Sequence, residues 1–231
     1  MSTLYIIATP IGNLEDVTYR AISTLKEVDI IACEDTRITI RLLQHYGIQK
    51  RLIATHAHNE KASAMGIVKL LEEGNSIAFV SDAGTPGISD PGAHLVEAVR
   101  AANFPVIPIP GVSAVATAVS VAGLMGKSFT FEGFVSIKAG KRAKRLTELI
   151  DRDEAFFLYE SPFRLLKLLN ALLEIDPTRL VMVGREMTKT FEEYVKGTAL
   201  EVFTIFNERD SIKGECVVCV FPKKSSEGKN I

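Results

Sequence analysis

Hydrophobic residues in the first half of the chain fall into short continuous runs separated by stretches of helical spacing. Leu4–Ala8, Val28–Cys33, Leu52–Thr55, Ser76–Ser81 and Val106–Ile109 are apolar runs of strand length, of the continuous kind that parallel sheets bury on both faces. Between them, Val17–Lys26, Thr36–Tyr46, His58–Glu73, Asp90–Ala101 and Ser113–Ala122 carry helical spacing. Gly47 and Gly74 stand where helix C-caps are expected. Asp90 is placed to cap its helix with Pro91 at the first helical position, and Ser113 to cap the next. Strands alternating with helices predict an α/β layer with a mostly parallel sheet.

The pattern changes after residue 122. Phe129–Phe134, Ala155–Glu160, Leu180–Glu186 and Cys216–Phe221 read as strands, richer in aromatics. Gly140–Asp151 reads as a basic helix, and Pro162 starts a helix over Phe163–Leu173. Fewer crossovers predict a mixed sheet. We therefore expect two α/β domains, over 1–115 and 116–222, and a disordered polar tail over 223–231.

Composition narrows the class. At 47% hydrophobic and 24% charged the chain has the material for a core, so it is neither disordered nor collagen-like. Its 27 Lys+Arg against 28 Asp+Glu exclude a protein basic all over, but not a local basic patch. Three cysteines (Cys33, Cys216, Cys219) make no disulfide framework. With no signal peptide and no apolar stretch of membrane-spanning length, a cytoplasmic location is expected.

Several familiar motifs fail on inspection. Gly126-Lys127-Ser128 resembles the end of a phosphate-binding loop, but Val121 stands where the first Gly is needed. Cys216-Val-Val-Cys219 has metal-motif spacing, yet on a strand those residues face opposite ways. No Gly-x-Gly-x-x-Gly follows a strand, and His56 and His58 have no nameable metal partners. No metal is expected.

The informative segments sit at strand ends. Ser81–Gly92 (SDAGTPGISDPG) combines three Gly and two Pro, so a ligand can approach its backbone closely. Asp82 there can accept hydrogen bonds. Thr9–Asp16 and Pro110–Ala114 are further strand-to-helix loops, and ligands of open α/β sheets bind outside the carboxyl ends of the strands. Cys33–Arg37, Glu160–Arg164 and Arg185–Thr190 each place acids beside bases, which capping and solvation also explain. Lys138, Lys141, Arg142, Lys144 and Arg145 form a run that reads either as a solvated helix face or as a phosphate-contacting patch.

In chain order, TPIGNLEDVTYR (9–20), ACEDTR (32–37), VSDAGTPGISDPG (80–92), Pro110–Ala114, FEGF (131–134), ESPFR (160–164) and REMTKTFEE (185–193) resemble the tetrapyrrole-methylase superfamily. Within it they look like the branch that methylates the ribose 2′-oxygen of a cytidine in 16S ribosomal RNA. The resemblance spans residues 3 to about 221. It implies S-adenosylmethionine as methyl donor, two α/β domains with the cofactor folded in the cleft between them, and a homodimer. It implies cofactor contacts at Pro10, Asp82, Ala83, Gly84, Ile88, Ser113, Ala114, Tyr159 and Met187. Many members of that branch carry a further helical segment after the last strand. Without it, contacts to the small ribosomal subunit are expected from Arg37, Arg41 and the 138–145 helix, or from a dimer partner.

Transfer to a hydroxyl needs a proton acceptor or a positive neighbour. The candidates are Glu34, Asp35 and Glu186 as bases, with Arg37 or Lys189 stabilising an oxyanion. Two other readings stand beside this one: methylation of a tetrapyrrole, another small molecule or a protein, and a non-catalytic RNA-binding assembly protein.

Overall fold

The computed structural model describes residues 2–55, 60–124 and 128–223. The His56/His58 pair, the Gly126-Lys127 part of the loop-like motif and tail residues 224–231 lie outside the described residues. Contacts divide the chain into two compact units, Met1–Ser113 and Ala114–Ile231.

The first unit holds five strands: β1 (Leu4–Ile7), β2 (Ile30–Cys33), β3 (Arg51–Ala54), β4 (Ile77–Val80) and β5 (Val106–Ile109). They lie in the order β3-β2-β4-β1-β5, and every pairing is parallel. Strands β2 and β4 are buried at every position, whereas edge strand β3 is exposed at both ends. That is the burial expected when helices cover both faces of the sheet.

The helices are α1 (Tyr19–Glu27), α2 (Thr36–His45), α3 (Glu60–Glu72) and α4 (Ala93–Ala101). On one face, Ala21 and Leu25 of α1 and Leu43 of α2 pack on Ile7, Ile31 and Val80. On the other, Ile67 and Leu71 of α3 and Leu95 and Val99 of α4 pack on Leu4, Ile30 and Phe79. The chain therefore leaves β1 toward one face and β4, its neighbour in the sheet, toward the other. Loops that diverge from adjacent parallel strands open a crevice at their carboxyl ends.

The second unit carries β6 (Phe129–Gly133), β7 (Ala155–Glu160), β8 (Leu180–Arg185), β9 (Glu193–Thr198) and β10 (Cys216–Val220), ordered β6-β7-β10-β8-β9. Only β6 and β7 run parallel, so this sheet is mixed. Helices α5 (Ala114–Ala122), α6 (Ala139–Asp151), α7 (Pro162–Ile175) and α8 (Ala199–Asn207) complete it. One core joins Leu146 of α6, Leu165 and Leu169 of α7 and Phe206 of α8 to Phe156, Val183 and Val218. Cys216 faces that core with Val218, so the two cysteines of the CxxC sequence lie on opposite faces of β10. Burial pushes both thiols up to about 12.

The structure corrects several expectations. Helix α4 begins at Ala93 with Gly92 as N-cap, not Asp90. A Cβ on Gly92 would stand 3.0 Å from the Phe79 ring, and its φ of +138° belongs to glycine, so the turn completes only there. Residues 14–16 form a separate 3-10 turn, and α1 starts after the Thr18 cap. Strand β8 stops at Arg185 because Glu186 has φ +51°. Strand β9 and helix α8 were not foreseen. Lys223, assigned to the disordered tail, is held: its N–H donates to Asp153 at 2.8 Å. Among the described residues, no helix is long and apolar enough to cross a membrane.

Candidate functional site

In the first unit, four loops meet at the carboxyl edge of the sheet, tied mainly through backbone atoms. Thr9 and Gly84 exchange two hydrogen bonds, Thr9 N–H to Gly84 O at 2.9 Å and Gly84 N–H to Thr9 O at 3.0 Å. Gly84 takes φ +80° to make this bridge. The Thr85 hydroxyl donates to Val112 O at 2.8 Å, joining the 81–92 loop to the 110–113 loop. A Cβ on Gly111 would meet that of Ala8 at 3.0 Å, so only glycine lets these chains approach. Pro10, Asp82, Ala83, Gly84, Ile88 and Ser113 all belong to this edge.

The 33–37 loop joins the same edge. Asp35 N–H donates to Asp82 Oδ1 at 3.0 Å. Burial pushes the Asp82 carboxyl above its ordinary range, against the opposing pull of that bond. Asp35 caps α2 by accepting from Arg37 N–H at 2.8 Å, and its carboxylate also pairs with the Arg37 guanidinium at 2.6 Å. Arg37 beside it holds Asp35 down at about 2. Arg37 itself is 85% exposed at the side chain and shares an exposed helix face with Arg41. Glu34 sits half-buried between Cys33 and Asp35.

The second unit gathers its acid–base sequences at one sheet edge. Strands β6, β7 and β8 end there, and β9 and β10 begin there: Cys216 lies opposite Glu160 and Arg185, and Glu193 opposite Arg185. Glu186 pairs with Lys189 at 2.8 Å, and Lys189 with Glu215 at 3.0 Å. Glu186 Oε1 also accepts from Glu215 N–H at 3.1 Å. The Lys189 bond holds the Glu186 carboxyl below its ordinary range. Burial pulls the Lys189 ammonium down, but its bonds to Glu186 and Glu215 outweigh this and raise it. Glu186 and Thr188 both have positive φ, so this turn is a strained one held by its ion pairs. Behind it, Glu193 pairs with both Arg185 and Arg209.

Tyr159 and Met187 lie in the same unit. The Tyr159 hydroxyl accepts from Val115 N–H at 3.2 Å, which ties the Ala114 end of α5 to β7. Met187 is buried, its sulfur packed against Gly184. Lys138, the N-cap of α6, and Lys141 and Lys144 on it are exposed. Arg145 differs: it pairs with Glu132 at 2.7 Å and Glu148 at 3.0 Å, so its charge is already neutralised within the unit. Arg142 donates to Ile137 O at 3.4 Å.

Sequence reasoning singled out the Glu160–Arg164 segment, whose two ends form an ion pair, but not Gly214, Glu215 or the Thr9 and Thr85 ties. Two signals were available. Gly214 precedes an acid at a strand start, and Glu160 and Arg164 have the helical i,i+4 spacing.

The comparisons agree with this architecture. The family model described as Tetrapyrrole (Corrin/Porphyrin) Methylases matches residues 3–202. A protein named ribosomal RNA small subunit methyltransferase I from Borrelia garinii subsp. bavariensis is 48% identical over 94% of this chain and 97% of its own. Proteins of that name from Neisseria meningitidis serogroup B and Bacillus subtilis are 43% and 45% identical, covering 79% and 75% of their lengths and 99% and 94% of this chain. Among solved structures, the methyltransferase CobJ superposes with TM-score 0.74 at 21% identity, over 96% of this chain and 95% of its own. Uroporphyrin-III-C-methyltransferase from Thermus thermophilus does so with TM-score 0.67 at 16% identity, over 96% of this chain and 94% of its own. At those identities the structural likeness speaks for the fold alone.

Proposed function

Because the chain belongs to the tetrapyrrole (corrin/porphyrin) methylase family, we propose that it transfers a methyl group from S-adenosylmethionine to the ribose 2′-oxygen of a cytidine in 16S ribosomal RNA. The observation that carries this reading is 43–48% identity, over nearly all of this chain, to proteins named ribosomal RNA small subunit methyltransferase I. We further propose a homodimer acting in the cytoplasm.

The carboxyl edge of the first sheet fits the cofactor. It offers Gly84 at positive φ, Gly111 against Ala8, and the small or apolar residues Pro10, Ala83, Ile88 and Ser113. Such a rim exposes backbone donors and acceptors to a ligand without side-chain obstruction. Pro10, Asp82, Ala83, Gly84, Ile88 and Ser113 would hold the group there, and we carry Ala114, Tyr159 and Met187 as further contacts. When bound, the cofactor supplies an electrophilic methyl and its own leaving group.

The chain must supply orientation and a path for the hydroxyl proton. Asp35 and Glu186 are each held ionised by a cation, Arg37 and Lys189. A carboxylate so held is a weak base, and we assign these pairs to orienting the acceptor and placing positive charge beside its oxygen. Glu34 lies at the same strand end as Asp35. Asp82, shifted upward by burial, is the acceptor better matched to neutral pH. Arg37, Arg41, Lys138, Lys141, Arg142 and Lys144 would contact phosphates. Arg145 would act through Glu132 and Glu148 to hold α6.

The test supplies methyl-labelled cofactor with small ribosomal subunits that lack the modification. The expected result is label on one cytidine ribose. Label on a uroporphyrinogen acceptor instead, with none on RNA, would sink the substrate assignment.

A further inference from the structure

The second unit leaves large aromatic and aliphatic side chains in water at the edge where β6 and β7 end. Phe163 is 89% exposed, Ile137 71% and Phe134 54%. Phe134 and Ile137 lie in the segment that follows β6, and Phe163 lies in the first turn of the helix that follows β7. Because β6 and β7 are parallel neighbours, these two segments emerge side by side.

The surface is built rather than loose. Buried Glu160, its side chain 2% exposed, pairs with Arg164 at 2.6 Å. The Arg164 guanidinium is thereby fixed 5.9 Å from the centre of the Phe134 ring. Tyr159 meets the same ring edge-on at 5.7 Å. Next along the chain come Lys138 and Lys141, exposed and without an ion-pair partner among the described residues. A fixed aromatic face, a fixed guanidinium plane and adjacent unneutralised lysines match the chemistry of an unpaired nucleobase and its phosphates. A second copy of the chain would instead have to neutralise those lysines with acidic groups at the same place.

Resting on the RNA reading above, we propose that Phe163 and the Phe134–Arg164 pair form a stacking platform for an unpaired base of the RNA, with Lys138 and Lys141 on the flanking phosphates. Because Arg164 is already held by Glu160, little ordering remains to be done when the base arrives.

The test uses the full chain and a short single-stranded oligoribonucleotide carrying one fluorescent cytidine analogue. Stacking quenches the analogue in the wild type. Phe163→Ala should weaken binding about 5- to 160-fold and reduce the quench, and Phe163→Trp should restore both. Joint Lys138→Gln and Lys141→Gln substitution should flatten the salt dependence of binding by about 1.4 in log–log slope while leaving the quench at saturation. Phe163→Ala and Phe134→Ala proteins that bind and quench like the wild type would overturn the platform. So would sedimentation showing that Phe163→Ala dissociates a dimer while RNA binding is unchanged, since the face would then meet a second copy. Labelling of small subunits by the same preparations separates the two readings. A wild type that labels ribose while Phe163→Ala behaves normally refutes the platform alone. A wild type that labels no ribose refutes the functional assignment.

Discussion

The side chain of Glu186 occupies the space that a Cβ on Gly214 would need, with its Cγ 2.2 Å from that position. Gly214 also takes φ +87°, which an L side chain adopts only under strain. Gly214→Ala should therefore expel Glu186 from its bonds to Lys189 and Glu215 N–H, and lower stability by about 1–3 kcal/mol. Denaturant unfolding measures this. The double variant with Glu186→Ala should be less destabilised than the sum of the singles, because the overlap is gone. Strict additivity would refute the steric account.

Asp35 gives a signed pH dependence. Its folded-state value of about 2 lies below the ordinary 3.8. The stabilisation is thus fully present above the ordinary value and is lost as pH falls from about 4 toward 2. Asn at 35 keeps a capping acceptor but cannot titrate. Asp35→Asn should therefore show a flatter acid-unfolding curve in that window, with α2 still formed by circular dichroism. Asp35→Ala should lose the cap as well.

Asp82 separates binding from proton transfer. Asp82→Asn retains an oxygen to accept from Asp35 N–H but cannot take a proton. If Asp82 is the acceptor, kcat should drop by about two to four orders of magnitude, far more than the loss of its cofactor contact alone would lower cofactor affinity. Since its carboxyl is raised, wild-type kcat should fall as pH drops through a value above 3.8. Calorimetric titration of cofactor with parallel pre-steady-state kinetics reads both; an unaltered kcat moves the role to Glu34.

The three thiols should be silent in the native state. Cys33, Cys216 and Cys219 are all buried, and burial raises each above its ordinary range. Thiolate is the reactive form, so a disulfide reagent at neutral pH should label none of them quickly and all three on unfolding. Rapid labelling of Cys216 would contradict its place on the core face of β10.

Cofactor binding at the first sheet's edge should be visible without turnover. A ligand at a hundred times its Kd stabilises by about 2.7 kcal/mol, and a thermal scan should rise accordingly. Gly84→Val should abolish the rise, because φ +80° at the Thr9 bridge excludes a β-branched residue.

Periodicity carried most of the architecture. Strands β2 and β4 of the parallel sheet stood out as apolar runs because they are buried at every position. Strand β9 (EYVKGT) did not, since it is an edge strand, nowhere fully buried. Helix α8 was legible in principle, because Thr198 and Glu201 form a reciprocal capping box at its start. The 33–37 loop has neither Gly nor Pro, but the other three of the four loops of the first site could be read from the placement of those residues. What each charge does could not. Arg145 sits in a basic run but is neutralised by Glu132, thirteen residues away and on a strand. Likewise Asp35 and Asp82 are 47 positions apart in sequence and meet only because β2 and β4 are neighbours.

The Thr9–Gly84 bridge is made of main-chain atoms on both sides. That tie between the first two loops therefore depends on no side-chain atom, whereas the 110–113 and 33–37 loops are joined to them through the Thr85 hydroxyl and the Asp82 carboxylate. Ala83 and Ile88 can change identity while the rim keeps its shape. A scaffold so arranged lets selectivity change by single substitutions at the rim that leave the main-chain bridge intact.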